Sequence, residues 1–347
     1  MRIEPTERLN LLKTSRGTNR RPAAHARVMW MIPGVWDGGA MYTIRSAISD
    51  NSPVIEIDEQ IYSKLKESKR CLVDQFQFEE KFDIILENYK DFETERFAIS
   101  LDVELFSHQT TPQVYARRRN LIRRIMNVLT SIRLYLDVIA SMEKGKPHYA
   151  DLRKYVNALY DGNFSYRLME GIRNHIQHRG SPFAAGQHSR RLDRESGAFF
   201  RIGTSVYLEV DAVINDRTTK ASLKKELQDL DGKTLEINKL ISSYIGCIAR
   251  LHDYWRSVNL PSLQKSSDTY MEYFRRYHEL SRSRPEHLFL KVTHSEESQN
   301  SDSEFEISTV VIENLSFLRD KNQGLDNLEM RFISSMSRTD GDKYFDK

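Results

Sequence analysis

Residues 112–143 read PQVYARRRNLIRRIMNVLTSIRLYLDVIASME. Pro112 suits the first turn of a helix, where its missing N–H costs nothing. Val114, Leu121, Ile125, Val128, Ile132, Leu136 and Ile139 then recur at steps of three, four or seven, which marks one apolar stripe on a helix of period 3.6. The pattern stops near Gly145 and Pro147. A helix this long needs partners for its stripe, and the flanking sequence supplies them.

Downstream, a shorter helix is expected over 150–160, and Asp161-Gly162-Asn163 provides a break and an N-cap for the next one. That helix, 163–179, carries Phe164, Leu168, Ile172 and Ile176 at a spacing of four and ends at Gly180 and Pro182. Residues 182–197 read as loop. Phe200, Ile202, Val206, Leu208 and Val210 alternate with mostly polar neighbours, so a strand or hairpin is expected around 199–214. Helical periodicity returns over 221–230 and 233–257. Asn259 and Pro261 are expected to separate the latter from a helix over 262–281, whose Tyr270, Tyr273, Phe274 and Tyr277 read as core. The acidic, Ser-rich stretch 294–305 reads as a flexible loop, followed by a strand near 306–313 and one or two short helices. Upstream, Phe76, Phe82, Ile85 and Leu86 predict a helix over 75–96, 27–52 reads as irregular or short strands, and 1–27 as a loose arm. The fold class is mainly α, a helical bundle with a small β-hairpin insertion and a helical N-terminal extension. Three regions are expected: an arm and helical extension (1–110), the bundle with its β insertion (111–284), and a C-terminal strand and helix extension (285–347).

Composition narrows the function classes. The 347 residues carry a net charge of only +3, so the chain as a whole is not a polycation. Basic residues are nonetheless grouped. Arg117, Arg118, Arg119, Arg123 and Arg124 form one cluster and Arg190, Arg191 and Arg194 another, each either a solvated surface or a phosphate-contacting patch. Two cysteines, Cys71 and Cys247, fit no metal spacing and build no disulfide framework, which points to a reducing, cytoplasmic setting. The N-terminus lacks a secretory signal, and the longest apolar stretch, Met29 to Trp36, is broken by Pro33 and Gly34 and too short to span a bilayer, so no membrane partner is expected. There is no Gly-rich phosphate loop, serine nucleophile elbow or paired-cysteine zinc motif, and no cofactor is implied.

The chemistry is concentrated in 163–179. Arg173 is followed at once by Asn174, and His178 comes five positions after Arg173. Arg20 to His25 and Arg282 to His287 share that spacing, but Pro22 and Pro285 interrupt them, leaving one pair on a regular helix. At about 100° per residue, Asn174 falls nearly opposite the apolar stripe and Arg173 roughly 90° from its centre. Glu170 and Gln177 share the polar side, with Glu170 placed for a helical ion pair to Arg173. Arg173 and His178 are offset by roughly 140° and about 7.5 Å of rise. They can clasp one group only if the last turn loosens or a second copy brings its own pair alongside. A histidine exchanges protons near neutral pH. Arginine stays charged and offers a planar fork to phosphate, while asparagine can orient the histidine or the substrate. The set suits cleavage of RNA by its own 2′-hydroxyl. His175, His178 and Glu170 could also approach a metal, but no nearby Cys, Asp or third His completes a set, so no metal site is assigned.

The stretch 168–180, LMEGIRNHIQHRG, resembles the signature helix of the HEPN superfamily, and is similar to bacterial members in which an Arg-Asn-x-x-x-His helix runs into a Gly and Pro turn. The resemblance covers about 110–281. It implies a HEPN-like four-helix bundle, a homodimer that brings two such helices together, and metal-independent endoribonuclease activity. Arg173, Asn174 and His178 match the family's catalytic positions, with Glu170 and Gln177 supporting and Arg117, Arg118, Arg123, Arg124 and Arg179 as weaker RNA contacts. Members frequently act in toxin–antitoxin or antiphage systems, which leaves an antitoxin or another protein regulator open as partner. The alternative is a helical RNA- or protein-binding regulator that keeps the helix without cleaving.

Overall fold

The computed structural model describes residues 42–48, 52–106, 110–183, 187–193, 199–230, 232–281, 289–294, 304–325 and 327–331. The arm expected over 1–27, the apolar stretch 29–36, Arg194, the Arg20–His25 and Arg282–His287 spacings and most of the 294–305 loop lie outside the described residues.

Helix α1 runs Glu59–Leu105, α2 Thr111–Glu143, α3 Tyr149–Gly162 and α4 Phe164–Arg179. The fold is mainly helical, as the periodicity indicates. α1 extends well beyond the expected 75–96, because Tyr62, Leu65 and Leu72 continue its buried face toward the N-terminus and Asp58 caps it, its carboxylate accepting from the Ile61 N–H at 2.7 Å. In α2 the stripe is buried at Leu121, Ile125, Val128, Ile132 and Ile139, but Val114 is exposed, since the first turns project past the core. α2 is also the helix, among the described residues, long and apolar enough by composition to cross a membrane, with a mean hydropathy of 1.3 over its most apolar stretch. Its apolar face packs against α1 and α4.

Asn163 flanks α4 as expected, yet its side chain does not cap α4; Nδ2 donates back to the Leu159 carbonyl at 2.7 Å and closes α3. Gly180 ends α4 at φ +113°, a conformation that L side chains rarely adopt.

The β structure expected around 199–214 is present as two short strands, each paired outside that range. β3 (Gln187–Asp193) occupies part of the expected loop and pairs antiparallel with β4 (Phe199–Ser205). β5 (Tyr207–Glu209) instead pairs with β6 (Thr234–Glu236), across α5 (Val210–Ile214) and α6 (Ala221–Gln228). Alternation over 200–210 thus reported two short strands with different partners, and Val210 already starts a helix.

Helix α7, Asn238–Ser281, is continuous through Pro261, where a break was expected. Pro261 removes the donor to the carbonyl of Ser257, and both residues are on the exposed side, where water can serve that carbonyl. Both flanks are anchored, Trp255 and Asn259 on one side and Leu263 and Tyr270 on the other, so packing outweighs the local cost. The half before Pro261 completes a core with α1–α6; the half after it carries Tyr270, Tyr273, Phe274 and Tyr277 into a second core. That second core lies under a four-stranded antiparallel sheet of order β2-β1-β7-β8, formed by β1 (Tyr42–Ser46), β2 (Ile55–Ile57), β7 (Phe289–His294) and β8 (Phe305–Ser308), with α8 (Val310–Lys321) alongside. Strands from the N-terminal and C-terminal parts of the described chain therefore meet in one sheet.

Glu79, fully buried on α1, ties these parts together. It accepts from His252 Nε2 at 2.9 Å and from Arg256 Nε and Nη2 at 2.9 and 2.5 Å, with Arg319 of α8 at 3.4 Å. Burial alone would raise its pKa, but the bonds from His252 and Arg256 prevail and hold it at about 2. Burial drives His252 down to about 4, so it is neutral at pH 7; Nε2–H donates to Glu79, and Nδ1 accepts from the Tyr135 hydroxyl.

Candidate functional site

Leu168, Met169 and Ile172 bury one side of α4 against α2 and α7. The opposite side, spaced i, i+3, i+4 and i+7 at Arg167, Glu170, Gly171 and Asn174, lines a cavity of about 320 Å³. Arg133 of α2, Tyr160 of α3, Arg173, the loop residues Thr218, Thr219 and Lys220, and Leu223 of α6 complete it. Gly171 sets its floor. A Cβ there would stand 2.6 Å from Leu223 Cδ2, so a larger residue would require the Leu223 side chain to shift.

The structure separates the expected site residues into two groups. Arg173 and Asn174 line the cavity, half-buried, and Arg173 Nη1 donates to Asn174 Oδ1 at 2.5 Å. Asn174 therefore orients the arginine. No carboxylate among the described residues pairs with Arg173, and its buried Nε has no protein partner. Glu170 does not hold Arg173, contrary to the helical ion pair that spacing suggested. It accepts from the buried Tyr244 hydroxyl at 2.7 Å and faces Arg133 at 3.8 Å, because these side chains reach it from across the bundle. Near Glu170, burial first and the carboxylate second drive the Tyr244 phenol well above its ordinary pKa.

His178 and Gln177 are exposed in the last turn and outside the cavity lining, as is Arg179. His178 lies one turn beyond Asn174 on the same stripe, about 6 Å further along the axis. Within one chain, the cavity and His178 thus lie in sequence along a single helix face.

His175 is buried, and its Nδ1 is 2.8 Å from Asp216 Oδ2. The sequence reading did not include Asp216, which is forty-one positions away and carries no local signal. Its other oxygen accepts from the Thr218 N–H and hydroxyl, both at 2.8 Å. The Thr218 backbone bond, ahead of the Thr218 hydroxyl and His175, holds the Asp216 carboxyl down at about 2 against the opposing effect of burial. His175 thus braces the loop that closes the cavity, and no group of three metal-ligating side chains forms among the described residues.

The basic cluster on α2 is largely committed to the fold. Arg117 pairs with Asp102 at 2.6 Å, Arg124 pairs with Asp91, and Arg118 donates to the Phe183 carbonyl at 2.7 Å. Arg119 and Arg123 remain exposed. The run therefore does not present one continuous basic face, because the three half-buried arginines join α2 to its neighbours.

No protein-family model matches the chain, and searches of the curated proteins and of the solved structures found no significant match.

Proposed function

We propose that the chain is a HEPN-like, metal-independent endoribonuclease that cleaves RNA through the substrate's 2′-hydroxyl, with Arg173, Asn174 and His178 as its active residues. The observation that carries this reading is the state of Arg173. It is a cation without a carboxylate partner among the described residues, oriented by Asn174 at a cavity, with an exposed histidine one turn beyond Asn174. Arg173 stabilises charge developing on the phosphorane, and His178 moves a proton as general base or acid. The offset between the two side chains is met by a homodimer that places a second α4 across the first. Two free cysteines, with Cys247 buried, fit a cytoplasmic protein, and a toxin or antiphage role under a protein regulator is consistent with the family resemblance.

A second reading is a non-catalytic RNA-binding regulator, favoured by the position of His178 outside the cavity. Incubating RNA with the full chain in EDTA separates the two. The ribonuclease reading requires cleavage that Arg173→Ala and His178→Ala each abolish without changing the fold; undiminished cleavage by both variants, or none by the parent chain, overturns it.

A further inference from the structure

The cavity beside Arg173 has polar groups that the fold leaves unused. Thr219 is 6% exposed, lines the cavity, and its buried Oγ1 has no hydrogen-bond partner among the described residues. A buried hydroxyl without a partner is costly, and the usual resolution is a ligand or water. Four cations also line this space against one carboxylate, Glu170. Two of the four are engaged. Arg167 makes bonds of 3.0 and 2.7 Å to Glu226 and also donates to the carbonyls of Tyr160 and Asp161. Arg133 pairs with Asp137 at 2.7 Å and faces Glu170. The other two, Arg173 and Lys220, form no ion pair among the described residues; Lys220 Nζ rests 4.4 Å from the centre of the Tyr160 ring.

We propose that this cavity is a phosphate-binding site anchored by Thr219 and Lys220, adjoining the point of cleavage at which Arg173 acts. A rotation about the Thr219 Cα–Cβ bond turns its enclosed Oγ1–H to the cavity, where it and Lys220 Nζ donate to the phosphate oxygens. The first turn of α6, which no side chain caps, begins at this same loop and adds its unpaired N–H groups. The loop is set in place beforehand, because His175 holds Asp216 and Asp216 holds Thr218. The volume exceeds that of one phosphate and admits an attached sugar. Phosphate chemistry follows from the cavity alone. Assigning it to the nucleotide next to the scissile bond rests on the ribonuclease reading, in which the strand continues from the cavity along α4 to His178.

The test uses the full chain and three probes: inorganic phosphate, a mononucleotide, and a short RNA made uncleavable by 2′-O-methyl groups. Binding is measured by calorimetry for the parent, Thr219→Val, Lys220→Gln and His178→Ala. Thr219→Val keeps the shape of the side chain, and circular dichroism checks the fold. Losing one hydrogen bond to a charged ligand is expected to weaken binding about tenfold or more. His178→Ala is expected to bind inorganic phosphate and the mononucleotide as the parent does, because His178 lies outside the cavity lining. Tight RNA binding lost in both loop variants identifies a backbone phosphate as the ligand, whereas mononucleotide binding without RNA binding identifies a free nucleotide. Loop-dependent phosphate binding in a chain that cuts no RNA sinks the ribonuclease reading and leaves the site standing. Failure of all three probes to bind, or binding that neither loop variant weakens, overturns the proposal.

Discussion

Replacing Arg256 with leucine tests how the two cores are joined. Arg256 is 8% exposed and supplies two of the bonds to Glu79, which is itself fully buried. The substitution leaves a buried carboxylate served by His252 and by Arg319 at 3.4 Å. Breaking a buried pair in this way costs about 3–5 kcal/mol. In a chain of this size, that lowers the melting temperature by roughly 4–7 °C. Glu79→Leu combined with Arg256→Leu removes the orphaned charge. Arg319 is 22% exposed at its side chain and can turn to water, so the double variant should recover part of the loss, with the buried His252 Nε2–H left without its acceptor. The assay is urea unfolding at pH 7, followed by circular dichroism. A loss under about 1 kcal/mol for Arg256→Leu, or a double variant no better than the single one, would refute the view that an uncompensated buried charge dominates this junction.

Other substitutions and pH changes probe neighbouring links. Ile172→Asp puts an unpaired charge against the core under α4 and should abolish cooperative unfolding, whereas Arg173→Ala and His178→Ala should leave the unfolding curve unchanged. Asp216→Ala removes the acceptor of His175 and Thr218, so hydrogen exchange at residues 217–220 should accelerate while α4 stays protected; unchanged exchange would show that the brace is idle. Acid should act in two windows. His252 is held at about 4 against an ordinary 6.5, so the unfolded chain binds its proton first and stability declines as pH falls from about 6.5 to 4. Glu79 and Asp216 are held at about 2, so their contributions persist above their ordinary values and are lost as pH drops through about 2. A His252→Gln variant should lose the first window alone, as read from urea midpoints across pH.

Periodicity made the helices legible where one face meets one core. The stripe from Leu121 to Ile139 and the run from Phe164 to Ile176 both give their helices to within a residue or two. It failed where a local rule was outweighed at a distance. Pro261 reads as a break, but the cores on either side hold α7 together. The strands over 199–209 were visible, but their partners β3 and β6 were not, since pairing is set by contacts outside the local pattern. At the site, Arg173, Asn174 and Glu170 stood out because they share a polar face. Asp216, Thr219 and Lys220 did not, because short polar residues in a connecting loop carry no periodic signal. The arginines at 117, 118 and 124 were legible as charge but not as partners of Asp102, Phe183 and Asp91.

The chemistry itself is tested by cutting an RNA that carries a single 2′-deoxy substitution, with EDTA present. Attack by the 2′-hydroxyl needs that one group, so cleavage should disappear at the substituted bond and continue at its neighbours, leaving 2′,3′-cyclic phosphate or 3′-phosphate ends. Cleavage that persists at the deoxy position, or that EDTA abolishes throughout, would contradict a metal-independent ribonuclease built on Arg173 and His178.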